Sequence, residues 1–187
     1  MKFAKTIWVI ILVMVSVALA GTLASLFAGP PSKMVKRGEY MVTAGGCGDC
    51  HTPMKMGSAG PEPDMSLSLS GHPESLVMPP VPKLPPGPWM GIFSASMTAW
   101  SGPWGVSFSA NITPDKTTGL GMWTEKTFID AIRNGRIQGK GRPMLPPMPF
   151  PAMARLTDSD LKAIYAYLKS VPKISNKVPA PVAPGEK

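Results

Sequence analysis

The two cysteines of this chain lie three positions apart, and a histidine follows the second one directly, in Cys47-Gly48-Asp49-Cys50-His51. A Cys-x-x-Cys pair is typical of a redox dithiol, of half a zinc site or of a covalent haem attachment, and the adjacent histidine is the mark of the last. Any of these groups would fix the path of the chain around it. This pentapeptide therefore constrains the fold more than any other segment.

The rest of the sequence favours haem over the two other groups. A structural zinc site needs about four ligands, but the chain has no further cysteine and only one other histidine, His72. A thioredoxin-type dithiol is expected in a βαβ context, and the sequence has no such pattern. We therefore predict one haem c, bound by thioether bonds to Cys47 and Cys50, with His51 as the proximal ligand of the iron.

The second axial ligand is less narrowly specified, because the chain has 14 methionines and most methionines fill gaps in the core. Met148 is favoured, since prolines flank it in Pro146-Pro147-Met148-Pro149 and rigid flanks hold a weak neutral ligand in place. Met144 is the nearest alternative, and Met153 and His72 are more distant ones. A methionine sulfur in this position raises the reduction potential of the iron.

An apolar run at the N-terminus predicts export. Ile7–Ala28 contains no charged residue and follows Lys2 and Lys5. Residues 1–29 are either a signal peptide, cleaved at Ala18-Leu19-Ala20, or a retained anchor, because about 20 apolar residues span a bilayer as a helix. The anchor is favoured because the run continues past the cleavage candidate. Both interpretations place the remaining chain on the periplasmic side of the cytoplasmic membrane.

The chain after residue 29 is expected to form one domain over residues 30–173, followed by a flexible tail over 174–187. Periodicity and capping residues predict three helices. The first covers Met34–Ala44 with Tyr40 facing inward, the second covers Glu125–Asn134, and the third follows the capping residue Thr157.

A stretch rich in proline and methionine separates the first two helices, from about residue 54 to 108. Its prolines block a regular helix and a central strand, so we expect an irregular insertion. Trp89, Trp100 and Trp104 supply apolar surface that would hold it against the core.

The formal net charge is +8 at pH 7. A positive net charge of this size is typical of proteins that bind nucleic acid, anionic lipid or an acidic protein. The chain has no run rich in lysine or arginine and no nucleic-acid motif. We therefore expect protein partners and no nucleic acid.

Six segments, taken in order, resemble those of class I c-type cytochromes, especially the single-haem domains related to cytochrome subunits of membrane-associated dehydrogenases. The resemblance covers roughly Met34 to Pro172. The segments are Arg37-Gly38-Glu39-Tyr40, the run from Gly45 to Pro53, Asn111-Ile112-Thr113-Pro114-Asp115, Gly119-Leu120-Gly121-Met122-Trp123-Thr124, Pro147-Met148-Pro149-Phe150, and the run from Asp160 to Leu168.

The resemblance implies an all-α class I cytochrome c fold, with three to five short helices around one haem and long irregular loops rich in proline and glycine. It implies that Met148 is the distal ligand of the iron. It also implies that Gly38 and Tyr40 lie where the first helix crosses the last one, near Ile164 and Tyr165. The segments around Asn111 and Trp123 would pack beside the haem.

The resemblance further implies an exported electron carrier rather than an enzyme, because iron held by histidine and methionine has no open site for a substrate. Expected partners are a dehydrogenase, other cytochromes or a terminal oxidase, with the membrane as a further partner if the anchor is retained. Three alternatives remain open. They are a relay haem subunit of a larger membrane oxidoreductase, a haem enzyme with an open distal site, and copper handling by Met54 and Met56, since thioethers suit Cu(I).

Overall fold

The computed structural model describes residues 32–185. The expected signal or anchor at 1–29 lies outside the described residues. Within the described part, no helix combines the length and the apolar character that crossing a bilayer requires.

The described residues form short helices and short strands joined by long loops. The helices are α1 (Lys33–Ala44), α2 (Cys47–His51), α3 (Glu125–Asn134), α4 (Phe150–Met153) and α5 (Asp158–Ser170), with 3₁₀ turns at Met65–Leu67 and Ile137–Gly139. The strands are β1 (Met54–Gly57), β2 (Gly60–Pro63), β3 (Ile92–Phe93), β4 (Ala99–Gly102) and β5 (Gly105–Phe108).

The ends of α3 and the start of α5 follow from local residues, among them the predicted cap Thr157. Thr124 caps α3 by accepting a hydrogen bond from the Thr127 backbone N–H at 3.1 Å, and Gly135 closes it in the left-handed conformation. Thr157 caps α5 by accepting from the Asp160 backbone N–H at 3.2 Å.

The core lies where α1 crosses α5. Gly38 permits this crossing, because a Cβ atom there would overlap the carbonyl group of Ala163 and the Cβ atom of Tyr167. Val42 on α1 is buried in the same cluster as Ile164 on α5. The crossing near Gly38 is therefore as the resemblance implied.

The inward placement of Tyr40 is wrong, because its side chain is 61% exposed. An α-helix turns about 100° per residue, so a residue two positions from Gly38 and from Val42 points away from the buried face. The guanidinium group of Arg37 lies instead over the Tyr40 ring, 5.5 Å from its centre.

The prediction of an all-α fold is wrong for the insertion, which forms two small antiparallel sheets, β1-β2 and β3-β4-β5. Proline blocks helices, but two short runs without proline pair as a hairpin whose turn is Pro103-Trp104. Gly105, the first residue after the turn, has a φ of 90°, which suits glycine. Pro61 and Pro63 lie on β2, an edge strand, where a missing N–H is tolerated. Residues 68–91 form no helix or strand.

The three tryptophans of the insertion differ in burial. Trp100 and Trp104 are partly buried, as expected, whereas Trp89 is 77% exposed. The expectation that Trp89 holds the insertion against the core is therefore wrong.

The segment expected to be a flexible tail makes specific contacts over residues 174–182. The Asn176 side-chain amide donates hydrogen bonds to the carbonyl oxygens of Ser70 at 2.7 Å and of His72 at 2.8 Å. Val182 exchanges two backbone hydrogen bonds with Val106 on β5. These contacts fasten the segment to the insertion.

A turn after residue 114 is held by one carboxylate. Asp115 accepts hydrogen bonds from the backbone N–H groups of Thr117 at 3.1 Å and Thr118 at 2.8 Å, and from both hydroxyls. Bonds from Thr118 and then from Thr117 lower the pKa of Asp115 to about 2, from an ordinary value of 3.8.

We expect Asp115→Asn to remove one source of acid sensitivity. A depressed carboxyl pKa stabilises the fold above the unfolded value of 3.8, and this stabilisation is lost as the pH falls towards about 2. Urea unfolding from about pH 5 to about pH 2 should therefore show a shallower decline for the variant than for the parent. Asp130→Asn, which changes a partly exposed carboxylate paired with Lys126, is the control. If the free energy of unfolding fell equally with pH in the parent and in Asp115→Asn, the low pKa of Asp115 would be contradicted.

Candidate haem site

A cavity of about 850 Å³ lies beside α2, within the range of about 300–1,000 Å³ that is usual for small-molecule and cofactor sites. Its wall includes Cys47, Cys50 and His51, and it continues through Asn111, Ile112 and Trp123. Buried side chains of the helical core complete the apolar part of the wall: Leu120, Phe128, Ala131, Ile132, Ile164 and Leu168.

His51 is buried, with 8% of its surface exposed. Its Nδ1 lies 2.7 Å from the carbonyl oxygen of Ala110. A carbonyl only accepts, so Nδ1 carries a proton, and in the neutral ring Nε2 then keeps a free lone pair. Burial lowers the pKa of His51, and the bond to Ala110 opposes this in part. The ring is therefore the neutral tautomer that ligates metals, oriented by a backbone carbonyl.

Cys47 and Cys50 are not joined by a disulfide bond, and both are partly buried. Burial raises the pKa of the Cys47 thiol, and burial followed by the nearby charge of Asp49 raises the pKa of Cys50. Catalytic dithiols need the opposite shift, towards the thiolate. In the part of the chain that the structure describes, no group of three or more His, Cys, Asp or Glu side chains is placed to hold a metal ion. These observations favour neither the redox dithiol nor zinc.

Three of the four residues considered as distal ligands line the cavity: Met144, Met148 and Met153. His72 does not. It is fully buried, with Nδ1 2.9 Å from the hydroxyl of Thr98 and Nε2 2.9 Å from the carbonyl oxygen of Leu76. Both ring nitrogens are thus engaged by residues within the insertion.

Two cationic side chains, Arg142 and Lys177, also line the cavity, and no aspartate or glutamate is among its described lining residues. A haem bears two propionate carboxylates, so this charge pattern fits it. Sequence reasoning missed Lys177 because the tail was expected to be flexible, and no motif marks it. The apolar wall, the free nitrogen of His51 and the two thiols complete a set of residues that suits haem c.

The profile of the cytochrome c family matches residues 35–172. The chain belongs to the cytochrome c family. This membership supports haem c as the group that the cavity holds, and the relatives named as cytochrome c subunits are electron-carrier subunits of dehydrogenases rather than catalytic ones.

Named relatives of this cytochrome c include cytochrome subunits of dehydrogenases. The gluconate 2-dehydrogenase cytochrome c subunit of Pantoea cypripedii is 33% identical over 134 residues, which cover 72% of this chain and 22% of the relative. The fructose dehydrogenase cytochrome subunit of Gluconobacter japonicus is 33% identical over 134 residues, covering 72% and 20%. The cytochrome c subunit of the quinone-dependent alcohol dehydrogenase of Gluconacetobacter polyoxogenes is 30% identical over 149 residues, covering 80% and 24%. The chain thus spans about a fifth to a quarter of the length of these relatives.

Proposed function

We propose that this cytochrome c carries a single covalent haem on Cys47 and Cys50, with His51 and Met148 as axial ligands of its iron. We further propose that it transfers single electrons between redox partners on the periplasmic side of the cytoplasmic membrane. The observation that carries the proposal is that both thiols, His51 and Met148 line the same cavity. One haem is proposed because the sequence holds one Cys-x-x-Cys-His motif and no other cysteine.

When bound, the haem supplies an iron that changes its charge by one unit with little rearrangement. The chain supplies the surroundings that set the potential of that change. Buried apolar side chains such as Phe128 and Leu168 keep water from the ring, and the Ala110 carbonyl holds the His51 imidazole in one orientation. Burial and the hydrogen bonding of ligands are two of the means by which proteins tune haem potentials.

Met148 is proposed as the distal ligand because it lines the cavity and its neighbouring prolines restrict the loop. We expect Met148→Ala to remove the weak red absorption band that iron–thioether bonding produces, while covalent haem remains. The reduction potential should fall, since methionine ligation raises it. The measurement is the absorption spectrum of purified protein, oxidised and reduced, before and after acid-acetone extraction.

Met144→Ala is the matched control, because Met144 lines the same cavity from the same loop. The red band should persist in this variant. Loss of the band in Met144→Ala and its persistence in Met148→Ala would assign the ligand to Met144. Immediate binding of carbon monoxide by the reduced parent protein would instead favour a haem enzyme with an open distal site.

The proposed partners are other redox proteins, with a dehydrogenase subunit foremost, because the relatives are named as cytochrome subunits of dehydrogenases. Cys47 and Cys50 are only partly buried, so partners can approach the haem at its thioether edge. Small charged interfaces suit such brief encounters. The apolar run Ile7–Ala28 is the proposed membrane anchor or export signal.

The second candidate function is that of a relay subunit in a larger membrane oxidoreductase. The same relatives favour it, because they are named as subunits of dehydrogenases. Purification of tagged protein from mild detergent distinguishes the two roles. Stable recovery with further haem or dehydrogenase subunits would support the relay role. Recovery alone, with rapid reduction by an added dehydrogenase, would support the free carrier.

A further inference from the structure

The side chain of His72 joins the two ends of an exposed loop in the insertion. Its Nε2 lies 2.9 Å from the carbonyl oxygen of Leu76, and its Nδ1 lies 2.9 Å from the hydroxyl of Thr98. Between these partners lies the proline loop, residues 77–97, which contains six prolines and is exposed at every position from 79 to 91. Pairing of β3 with β4 also holds the far end of this loop, so its start depends on His72.

The hydrogen bonds around His72 suit a neutral ring. A carbonyl only accepts, so Nε2 carries a proton, and in the neutral ring Nδ1 then accepts from the Thr98 hydroxyl. The Ser96 hydroxyl lies 2.8 Å from that of Thr98 and 2.8 Å from that of Ser94. Because a hydroxyl has a single proton, Ser96 donates to Thr98 and Ser94 donates to Ser96. The neutral ring thus has a partner at each nitrogen and ends an ordered row of three hydroxyls.

The surroundings of His72 do not suit a charged ring. The residue is fully buried, and its ring packs against Phe108 on β5, 4.8 Å between centres. Neither β4, β5 nor residues 94–98 contain a titratable side chain. The charged residues on the other adjacent segments are Glu74 and Lys177, and the Glu74 carboxylate accepts from the Lys177 backbone N–H at 3.2 Å.

Burial lowers the pKa of His72, and the hydrogen bond to the Leu76 carbonyl opposes this in part. No charged side chain of the described residues adds to either effect. Reversal of the three hydroxyls would give a protonated Nδ1 an acceptor, but it would supply no negative charge. Because an unpaired buried charge is costly, protonation of this ring has to be accompanied by its exposure to water.

We propose that His72 is an acid-sensitive clasp, which holds the start of the proline loop while its ring is neutral and releases it when the ring takes up a proton. The released ring has the ordinary pKa of 6.5. The stabilisation that the neutral ring provides is therefore complete above that pH and declines as the pH falls below it. This inference goes beyond electron transfer, because it concerns the attachment of the insertion alone.

The first test compares the parent with His72→Gln by amide hydrogen exchange in the haem-loaded protein. The glutamine amide can still donate to the Leu76 carbonyl, but it takes up no proton. Exchange is followed over residues 72–76 and 94–99 at about pH 6.5 and about pH 5.5, with correction for its intrinsic pH dependence. Carboxyl groups ordinarily titrate below this window. Opening should become about tenfold more frequent at the lower pH in the parent, and stay unchanged in the variant.

Exchange within α3 is the internal control and should stay unchanged in the parent. An equal increase in α3 would overturn the proposal, because the change would then be global. No increase over residues 72–76 and 94–99 in the parent, or the same increase in His72→Gln, would also overturn it.

The second test needs no substitution, because His51 is the only other histidine of the chain. In reduced protein labelled with ¹⁵N-histidine, the His72 ring should carry its proton on Nε2 and none on Nδ1 at about pH 7.5. Its titration midpoint should lie below the ordinary value of 6.5. A proton on Nδ1 at the higher pH, or a midpoint at 6.5 or above, would overturn the clasp.

Discussion

Replacing Cys47 and Cys50 together with serine should abolish covalent haem. Serine hydroxyls do not form the thioether bonds that the proposed site requires, and His51 alone would leave any haem exchangeable. Protein made in a host that matures c-type cytochromes should lose its colour on acid-acetone extraction, and its mass should equal that of the polypeptide. The parent should keep its colour and carry the mass of one haem.

Asp49→Asn is the control for this experiment, because it changes the same pentapeptide and leaves both thiols and the imidazole in place. Its covalent haem content should match that of the parent. A double serine variant that still carries covalent haem would refute the proposed attachment site.

Replacing Gly38 with alanine should destabilise the haem-loaded protein by about 3 kcal/mol, at the upper end of the usual cost of overpacking. The added methyl group would overlap the backbone carbonyl of Ala163, so α1 and α5 would have to separate. Alanine improves helix propensity by about 1 kcal/mol over glycine, which is too little to offset the overlap. Thermal or urea unfolding measures the change.

Gly87→Ala is the matched control for Gly38→Ala. Its added methyl group would lie 4.0 Å from its nearest neighbour, the carbonyl oxygen of Pro85, so no atom has to move. We expect a change within about 0.5 kcal/mol, as for most surface substitutions. Equal losses in the two variants would mean that the close crossing of α1 and α5 contributes little to stability.

The sequence was sufficient to predict the parts of the fold that interactions between neighbouring residues determine. The ends of α3 follow from Thr124 and Gly135, whose effects act over one helical turn. The Cys-x-x-Cys-His motif could be recognised because covalent haem attachment requires this spacing. Met144 and Met148 could be named as candidates for a different reason, since both lie in a loop restricted by proline.

Features that depend on contacts between residues far apart in the chain could not be predicted from the sequence. The sheets of the insertion arise from pairing between strands, and short runs such as Ala99–Gly102 have too few residues to show a period. The hydrogen bonds of Asn176 join residues more than 100 positions apart. His72 was considered only as a distant ligand candidate, because nothing in the sequence shows that Leu76 and Thr98 engage both of its ring nitrogens.

The wall of the haem cavity draws on residues from position 45 to position 181, and this spread has a consequence for maturation. The proposed thioether bonds at Cys47 and Cys50 need only a local pentapeptide, whereas the full wall needs the hairpin, the methionine loop and the segment around Lys177 to meet. The proposed attachment therefore does not depend on completion of the wall. Where attachment comes first, the chain folds around a prosthetic group that it already carries.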